Sequence, residues 1–447
     1  VKEREEGWDV CISLNYLSGE RPSGVMFGFL VGSADQPDVF DMLKLPPARY
    51  MRLKICEETS KALGREPWTG GVPPYEWITE ASILLFVCSR TIGGNMKKYT
   101  KEDLDQVLAS YGLPAVENFE MIDSSQGDDD VRHNYILDKK YVLRVNSAPV
   151  FTEQRLRELN LLIRRCNEFG LKAPYFLPDR EGNYLHVIDG VYGYLSEYLD
   201  YPVAGQVKEG DERRPALLRE RLALVAGFAQ KYKGVGLTGT MSMYSLFELS
   251  PYDQLSGMDE KQENLGELAA ALRLAGREAL AERYERLNGG LREKLKAVHW
   301  KLPRCVFQGD ENFSNVCLDE TGHIVGLFDF NMAGTDVIAN YLANVIFQGR
   351  VNYVDDPALF AAESAQALYD RVAASFAEGL ALVREHYAFT QEEEMACRMY
   401  AGIVLISGWV FVSAYRRHLE KPETAGKAAA LLSLLAEKLE EQFLQEK

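Results

Sequence analysis

Beyond Pro202 the chain places apolar residues at helical spacing almost to its end, and one β-like patch interrupts that pattern: CVFQGDENFSNVCLDETGHIVGLFDFN, residues 305–331. Upstream, from Met96, the elements alternate. TKEDLDQVLASYGL reads as a short amphipathic helix, NFEMIDSS, NYILD and KKYVLRVN as strands, and FTEQRLRELNLLIRRCNEFGL as a longer helix. A strand pair around NYLHVI and VYGYLSEYLDY closes this part near residue 200. The expected fold class is therefore α+β in two lobes, a small α+β lobe at 96–200 and a mostly helical lobe at 201–447. A polar hairpin just after the junction of two lobes is the layout of an enzyme with a cleft.

A chain of 447 residues calls for two or three domains. Residues 1–95 form the third unit, a β-rich α+β module with alternating apolar runs (WDVCISLNYL, GVMFGFLV, ARYMRLKIC), a short helix at EETSKALG and a turn region WTGGVPPYEW. The net charge of -16 argues against nucleic acid or an anionic membrane as partner, since a polyanion needs a basic face. Lys and Arg number 10 against 13 Asp and Glu in residues 1–95 and 40 against 53 in the remainder, so the acidity lies mostly C-terminal. Cationic or neutral small molecules fit that balance. Seven scattered cysteines without a CxxC pair indicate core thiols in a reducing cytoplasm. The uncharged run Met399–Tyr415 is 17 residues, at the lower limit for crossing a bilayer, and reads as a buried helix.

The hairpin carries the chemistry. Asp310 follows a glycine at the end of an apolar strand, Asn315 returns to the same end, and TGHIVGLFD brings Asp329 back beside them. Three oxygen-bearing side chains then converge. Mg²⁺ takes one or two protein carboxylates, phosphates and waters completing its shell. A remaining carboxylate can orient a hydroxyl and accept its proton, which is the division of labour of phosphoryl transfer. The six histidines show no metal spacing, and His323 reads as part of a solvent-exposed turn. No GxSxG elbow supports acyl transfer.

GDENFSN followed by FDFN resembles the catalytic and metal loops of the aminoglycoside phosphotransferase and choline-kinase-like enzymes, relatives of protein kinases. The resemblance covers roughly Met96 to the C-terminus and implies a protein-kinase-like two-lobed fold. It implies Asp310 as catalytic base, Asn315 and Asp329 as Mg²⁺ ligands, and ATP or GTP as phosphate donor. In KKYVLRVN, strand alternation offers Arg144 as the inward cation for the nucleotide phosphates. Its expected partner is a carboxylate on the next helix, Glu158 with Glu153 as alternative; the competing reading makes both solvated helix charges. The adenine-binding connector is expected at YLSEYLD, with the backbone of Glu197 and Tyr198 meeting the base. The phosphate-covering turn DSSQGDDDVRHN offers Gly127 alone, beside three aspartates.

Two positions depart from the family pattern: Gln308 stands where a histidine is usual, and Asn331 where a glycine is usual. An amide donates and accepts, so Gln308 can hold a similar loop. In residues 1–95, PDVFDMLKLPPARYMRLKI followed by VPPYEWITE resembles part of the GyrI-like effector-binding domains. Ile92–Met96 is encodable with a ribosome-binding sequence ahead of ATG, so the second part is expected once to have begun at Met96. The function implied is transfer of a γ-phosphate to a hydroxyl of a small molecule. The alternative is a catalytically idle, kinase-like small-molecule sensor. The expected partner is a small-molecule acceptor, cationic or polyol, with no nucleic acid and no membrane.

Overall fold

The computed structural model describes residues 97–125, 131–147, 151–188, 191–208, 210–251, 253, 257–348, 354 and 356–444, together with the backbone of two strands, β1 (Trp8–Tyr16) and β2 (Val25–Ser33). These two pair antiparallel as a hairpin. The remaining expectations for 1–96, including the effector-binding resemblance and the helix at EETSKALG, lie outside the described residues.

The small lobe begins with helix α1 (Lys101–Ser110), started by a capping box in which the Thr100 hydroxyl accepts from the Asp103 N–H and the Asp103 carboxylate accepts from the Thr100 N–H. An antiparallel sheet follows, β3 (Phe119–Asp123), β4 (Arg132–Leu137), β5 (Tyr141–Asn146), β6 (Phe176–Leu177), β7 (His186–Ile188) and β8 (Val191–Glu197). The strand order is β3-β4-β5-β8-β6, with β7 also on β8. Helix α2 (Glu153–Phe169) joins β5 to β6. Alternation along β5 divides the sheet's faces: Leu143 and Val145 join Tyr135, Leu137 and Leu195 under α1, whereas Arg144, Asn146 and their neighbour Tyr194 face the other way. On that second face Tyr194 packs against Phe151 and Phe176 and shares with Leu156, Leu159 and Ile163 of α2 an apolar cluster that continues without a break into the helical lobe.

The helical lobe contains α3 (Arg214–Lys231), α4 (Glu260–Leu274), α5 (Glu278–His299), α6 (Ile338–Phe347), α7 (Pro357–Ala362), α8 (Ala365–His386), α9 (Gln391–Ser407), α10 (Trp409–Leu419) and α11 (Pro422–Phe443). Between α5 and α6 lies the β patch read in the sequence. Strands β9 (Arg304–Phe307) and β12 (Gly334–Val337) pair antiparallel, and β10 (Val316–Leu318) and β11 (Ile324–Leu327) form a second antiparallel pair. This patch is tied to the small lobe's exit. The Lys172 N–H donates to the Val325 carbonyl at 2.8 Å, the Leu327 N–H to the Lys172 carbonyl at 2.8 Å, and the Leu318 N–H to the Pro202 carbonyl at 2.8 Å. The hairpin is thereby held against both the end of α2 and the connector.

The apolar run Met399–Tyr415 is divided between α9 and α10. Gly408 breaks it with an extended backbone, φ -69 and ψ 136, at a position where a Cβ would stand 2.5 Å from the Val404 carbonyl oxygen, and the segment is mostly buried. Tyr400 and Tyr415 are core, as the apolar pattern predicts, but Trp409 is 64% exposed. Cys166, Cys305, Cys317 and Cys397 are free and buried, and burial pushes the Cys317 thiol up to about 11.

Candidate active site

Strand β9 ends at Phe307, whose ring stacks on Tyr341 of α6 at 3.7 Å. Gly309 follows at φ 90, and a Cβ there would lie 2.1 Å from the Met332 carbonyl oxygen. Only glycine lets the two polar loops come so close. Gln308 ties them together. Its Nε2 donates to the carbonyls of Phe328 at 3.0 Å and Asp329 at 2.6 Å, while its Oε1 accepts from the Asp310 N–H at 2.7 Å. Both halves of the amide are used, as the sequence reading of Gln308 requires.

Asp310 projects from this turn with its carboxylate held at both oxygens: Asn312 Nδ2 donates to Oδ1 at 2.7 Å and Asn315 Nδ2 to Oδ2 at 2.9 Å. Asn315 also donates to the Asp310 carbonyl at 3.0 Å, which closes the loop on itself. Burial pushes the Asp310 carboxyl above its usual range and the nearby Asp329 charge adds to this, against the pull of the two amides and of Arg221. Asp329 adopts a left-handed backbone, φ 59, a conformation that Asp tolerates better than most residues but that still costs free energy. Its Oδ1 accepts from Arg144 Nη1 at 3.1 Å, side-chain exposures being 32% and 19%. The face of β5 that strand alternation assigns to Arg144 is thus the one that meets Asp329.

The loop rests on residues that the sequence pattern does not reveal. The Tyr341 hydroxyl accepts from the Gly309 N–H at 3.0 Å and donates to the Glu311 carboxylate at 2.6 and 2.7 Å. Arg221 of α3 donates to the Glu311 carbonyl at 3.0 Å and the Gln348 carbonyl at 2.9 Å. Burial raises the Glu311 carboxyl, with the Tyr341 hydroxyl and Arg221 opposing. Tyr341→Phe strips the partner from a buried N–H and from a buried carboxylate, so unfolding free energy should fall by about 2 kcal/mol. Urea denaturation reads this out, and a change below roughly 0.5 kcal/mol would show that the hydroxyl does not hold the loop.

Two expectations are corrected. Glu158 does not reach Arg144: it accepts from Gln154 Nε2 at 3.0 Å, on the stripe of α2 that also carries the exposed Leu161. Glu153 is no substitute, because its carboxylate accepts from the N–H groups of Tyr184 and Leu185 at 2.8 and 2.9 Å and pairs with Arg157 at 2.7 Å. The polar side chain of α2 that does reach the cleft is Arg155, which donates to the Ala333 carbonyl. The second correction concerns the connector. The Glu197 N–H is committed to the Tyr175 carbonyl at 3.0 Å and the Tyr198 N–H to the Lys140 carbonyl at 2.8 Å, since β8 pairing extends over them. The N–H groups of Leu199 and Asp200, just beyond, have no acceptor among the described residues. Gly127 lies outside the described residues.

A family model for phosphotransferase enzymes matches residues 126–378. The chain belongs to this phosphotransferase enzyme family. A sheet lobe above a helical lobe, with the polar loops facing the cleft, is the kinase-like architecture expected of a family phosphotransferase. No curated protein matches the sequence. Among solved structures, the chain is similar to amicoumacin kinase in complex with AMP-PNP and Ca²⁺ (12% identity, 80% of this chain and 96% of that chain, TM-score 0.43). It is also similar to spectinomycin phosphotransferase in complex with ADP (10% identity, 75% and 99%, TM-score 0.43). A third similar structure is an aminoglycoside phosphotransferase from Alicyclobacillus acidocaldarius (14% identity, 78% and 98%, TM-score 0.40).

Proposed function

We propose that the chain moves the γ-phosphoryl group of ATP or GTP to a hydroxyl of a small molecule. The observation that carries this is the convergence of two hydrogen-bonded pairs, Asp310 with Asn315 and Asp329 with Arg144, on loops that Gln308 ties together. Arg144 is the phosphate cation. Its buried Nε–H has no acceptor among the described residues, which leaves a donor for a phosphate oxygen. Leu199 and Asp200 present N–H groups to the base, in place of Glu197 and Tyr198.

The donor set fits a hard cation. Asn315 uses its Nδ2 on Asp310 and so keeps its amide oxygen available, and Asp329 spends only Oδ1 on Arg144. A bound Mg²⁺ would be held by Asp329 and Asn315 and would supply neutralisation of the phosphate oxygens. Asp310 then acts on the acceptor. Its carboxylate takes a hydrogen bond from the acceptor hydroxyl, aims that oxygen at the terminal phosphorus, and receives the proton as the new O–P bond forms. The bond to the nucleoside diphosphate breaks on the opposite side. The acidic balance of the chain, 66 Asp and Glu against 50 Lys and Arg, suits an amine-bearing acceptor.

Incubation with Mg²⁺ and γ-labelled ATP or GTP across a panel of amines, sugars and alcohols tests the reading. Labelled product supports it; tight small-molecule binding with no transfer to any acceptor would favour the sensor reading instead. Within that assay Gln308→His should retain transfer to within a few-fold, because an imidazole can also bridge the two loops. Loss of transfer in that variant would show that both ends of the amide are indispensable.

A further inference from the structure

Asp310 stands between two backbone ties that lead to the same helix. On its N-terminal side the Gly309 N–H donates to the hydroxyl of Tyr341, a residue of α6. On its C-terminal side the Glu311 carbonyl accepts from Arg221 Nη1 at 3.0 Å, and Arg221 Nη2 donates at 2.9 Å to the carbonyl of Gln348, the residue just after α6. A guanidinium is a planar, fixed fork, so one side chain sets the spacing of two carbonyls that are far apart in the chain. Gln348 is held in turn, its Nε2 donating to the Tyr244 hydroxyl at 2.8 Å. Arg221 is 5% exposed and lies on the buried side of α3 with Leu217, Leu218, Leu222 and Val225. Its guanidinium also stands 5.7 Å from the centre of the Phe313 ring, three residues beyond the base. In the proposed reaction Arg144 meets the nucleotide phosphates from the sheet, whereas Arg221 spends both ends of its fork on main chain.

We infer that Arg221 is the positioning residue of the base: by fixing the Glu311 carbonyl against the end of α6, it sets the direction in which the Asp310 carboxylate leaves the loop. The requirement comes from the turn itself. Gly309, at φ 90, gives the main chain its widest freedom at the residue just before the base. A misplacement of about 1 Å at a reacting group costs roughly 10²-fold in rate. The two amides on the carboxylate, Asn312 and Asn315, belong to the same loop and move with it, so they cannot aim it. Arg221 refers the loop to a helix outside it, as Gln308 refers it to the metal loop. This rests on the phosphotransferase reading, in which Asp310 aims a hydroxyl at the nucleotide.

Arg221→Met keeps the apolar stem of the side chain and removes both donors. With Mg²⁺ and γ-labelled ATP, water standing in for the acceptor, the single-turnover rate should fall about tenfold to a hundredfold. The dissociation constant of a fluorescent ADP analogue should stay within about twofold of wild type, since none of the lost contacts belongs to the nucleotide. Arg221→Lys keeps the charge and a donor, and should recover part of the rate. The decisive comparison uses an Asp310→Ala background, in which Arg221→Met should slow the residual reaction no further. An arginine that only stabilises the fold would slow the reaction by the same factor in both backgrounds, and that result overturns the inference. A wild-type rate in Arg221→Met overturns it too, as does a loss of nucleotide affinity in proportion to the loss of rate. Should Arg221→Met fail to fold, Arg221→Lys carries the test: a slower rate at unchanged ADP affinity, with no further slowing in the Asp310→Ala background, supports the role, and a wild-type rate refutes it. A wild-type chain that consumes no ATP, with water or with any member of the acceptor panel, sinks the phosphotransferase reading and this inference with it, whereas wild-type turnover with unaffected variants sinks only the role of Arg221.

Discussion

Asp310→Ala should lower transfer by roughly 10²- to 10⁴-fold while nucleotide binding stays within a few-fold, since it removes the group that orients the hydroxyl and takes its proton. The fold should survive the change. Asn312 is exposed and can turn its amide to water, and Asn315 keeps its bond to the Asp310 carbonyl, so neither partner is left as a buried orphan. Stability should rise slightly, because a carboxylate that burial and Asp329 disfavour is gone. Single-turnover rates with labelled nucleotide, measured on protein whose nucleotide affinity has been verified, give the comparison. Transfer retained within tenfold would remove Asp310 from the proton path and leave positioning as its whole contribution.

Asp329→Asn should lower transfer by roughly 10³-fold or more, and here nucleotide binding should weaken as well. Asn is the suitable replacement because it accepts the left-handed backbone at φ 59 and preserves shape, so what is lost is charge. Both members of the Arg144–Asp329 pair are partly exposed, so the stability loss should be modest, about 1 kcal/mol. The two variants thus separate in one experiment: Asp310→Ala alters the rate with binding kept, and Asp329→Asn alters both. Equal nucleotide affinity in wild type and Asp329→Asn, measured across a Mg²⁺ titration, would contradict the metal assignment.

Asp310, Asn315 and Asp329 were legible as a convergent set because a hairpin on tight turns delivers them from neighbouring positions. Arg144 was legible for a different reason, the two-residue period of β5. What failed was phase. Helix α2 carries charges on every exposed stripe, so spacing cannot tell which of Glu153, Arg155 or Glu158 turns toward the cleft, and the structure selects Arg155. The end of β8 was not legible, since nothing local marks where its pairing stops, and the N–H groups of Glu197 and Tyr198 are taken up by it. Arg221 and Tyr341 were invisible. They reach Glu311 across 90 and 30 residues of chain, and no periodic pattern records a contact of that range.

Helix α1 has a bearing on what counts as the autonomous folding unit. The family match starts at residue 126, beyond α1 and β3, yet Leu104, Val107 and Leu108 of that helix seal the outer face of the sheet over Tyr135, Leu137, Leu143, Val145 and Leu195, and the Tyr99 N–H donates to the Tyr135 hydroxyl at 2.8 Å. A chain trimmed to the matched boundary would expose five large side chains at about 1.5–3 kcal/mol each, comparable with the whole stability of an ordinary domain. At its N-terminal end the match therefore falls short of the folding unit by the 26 residues from Thr100 to Ser125, and any shortening, shuffling or grafting of this module has to carry the helix from its Thr100 cap onward.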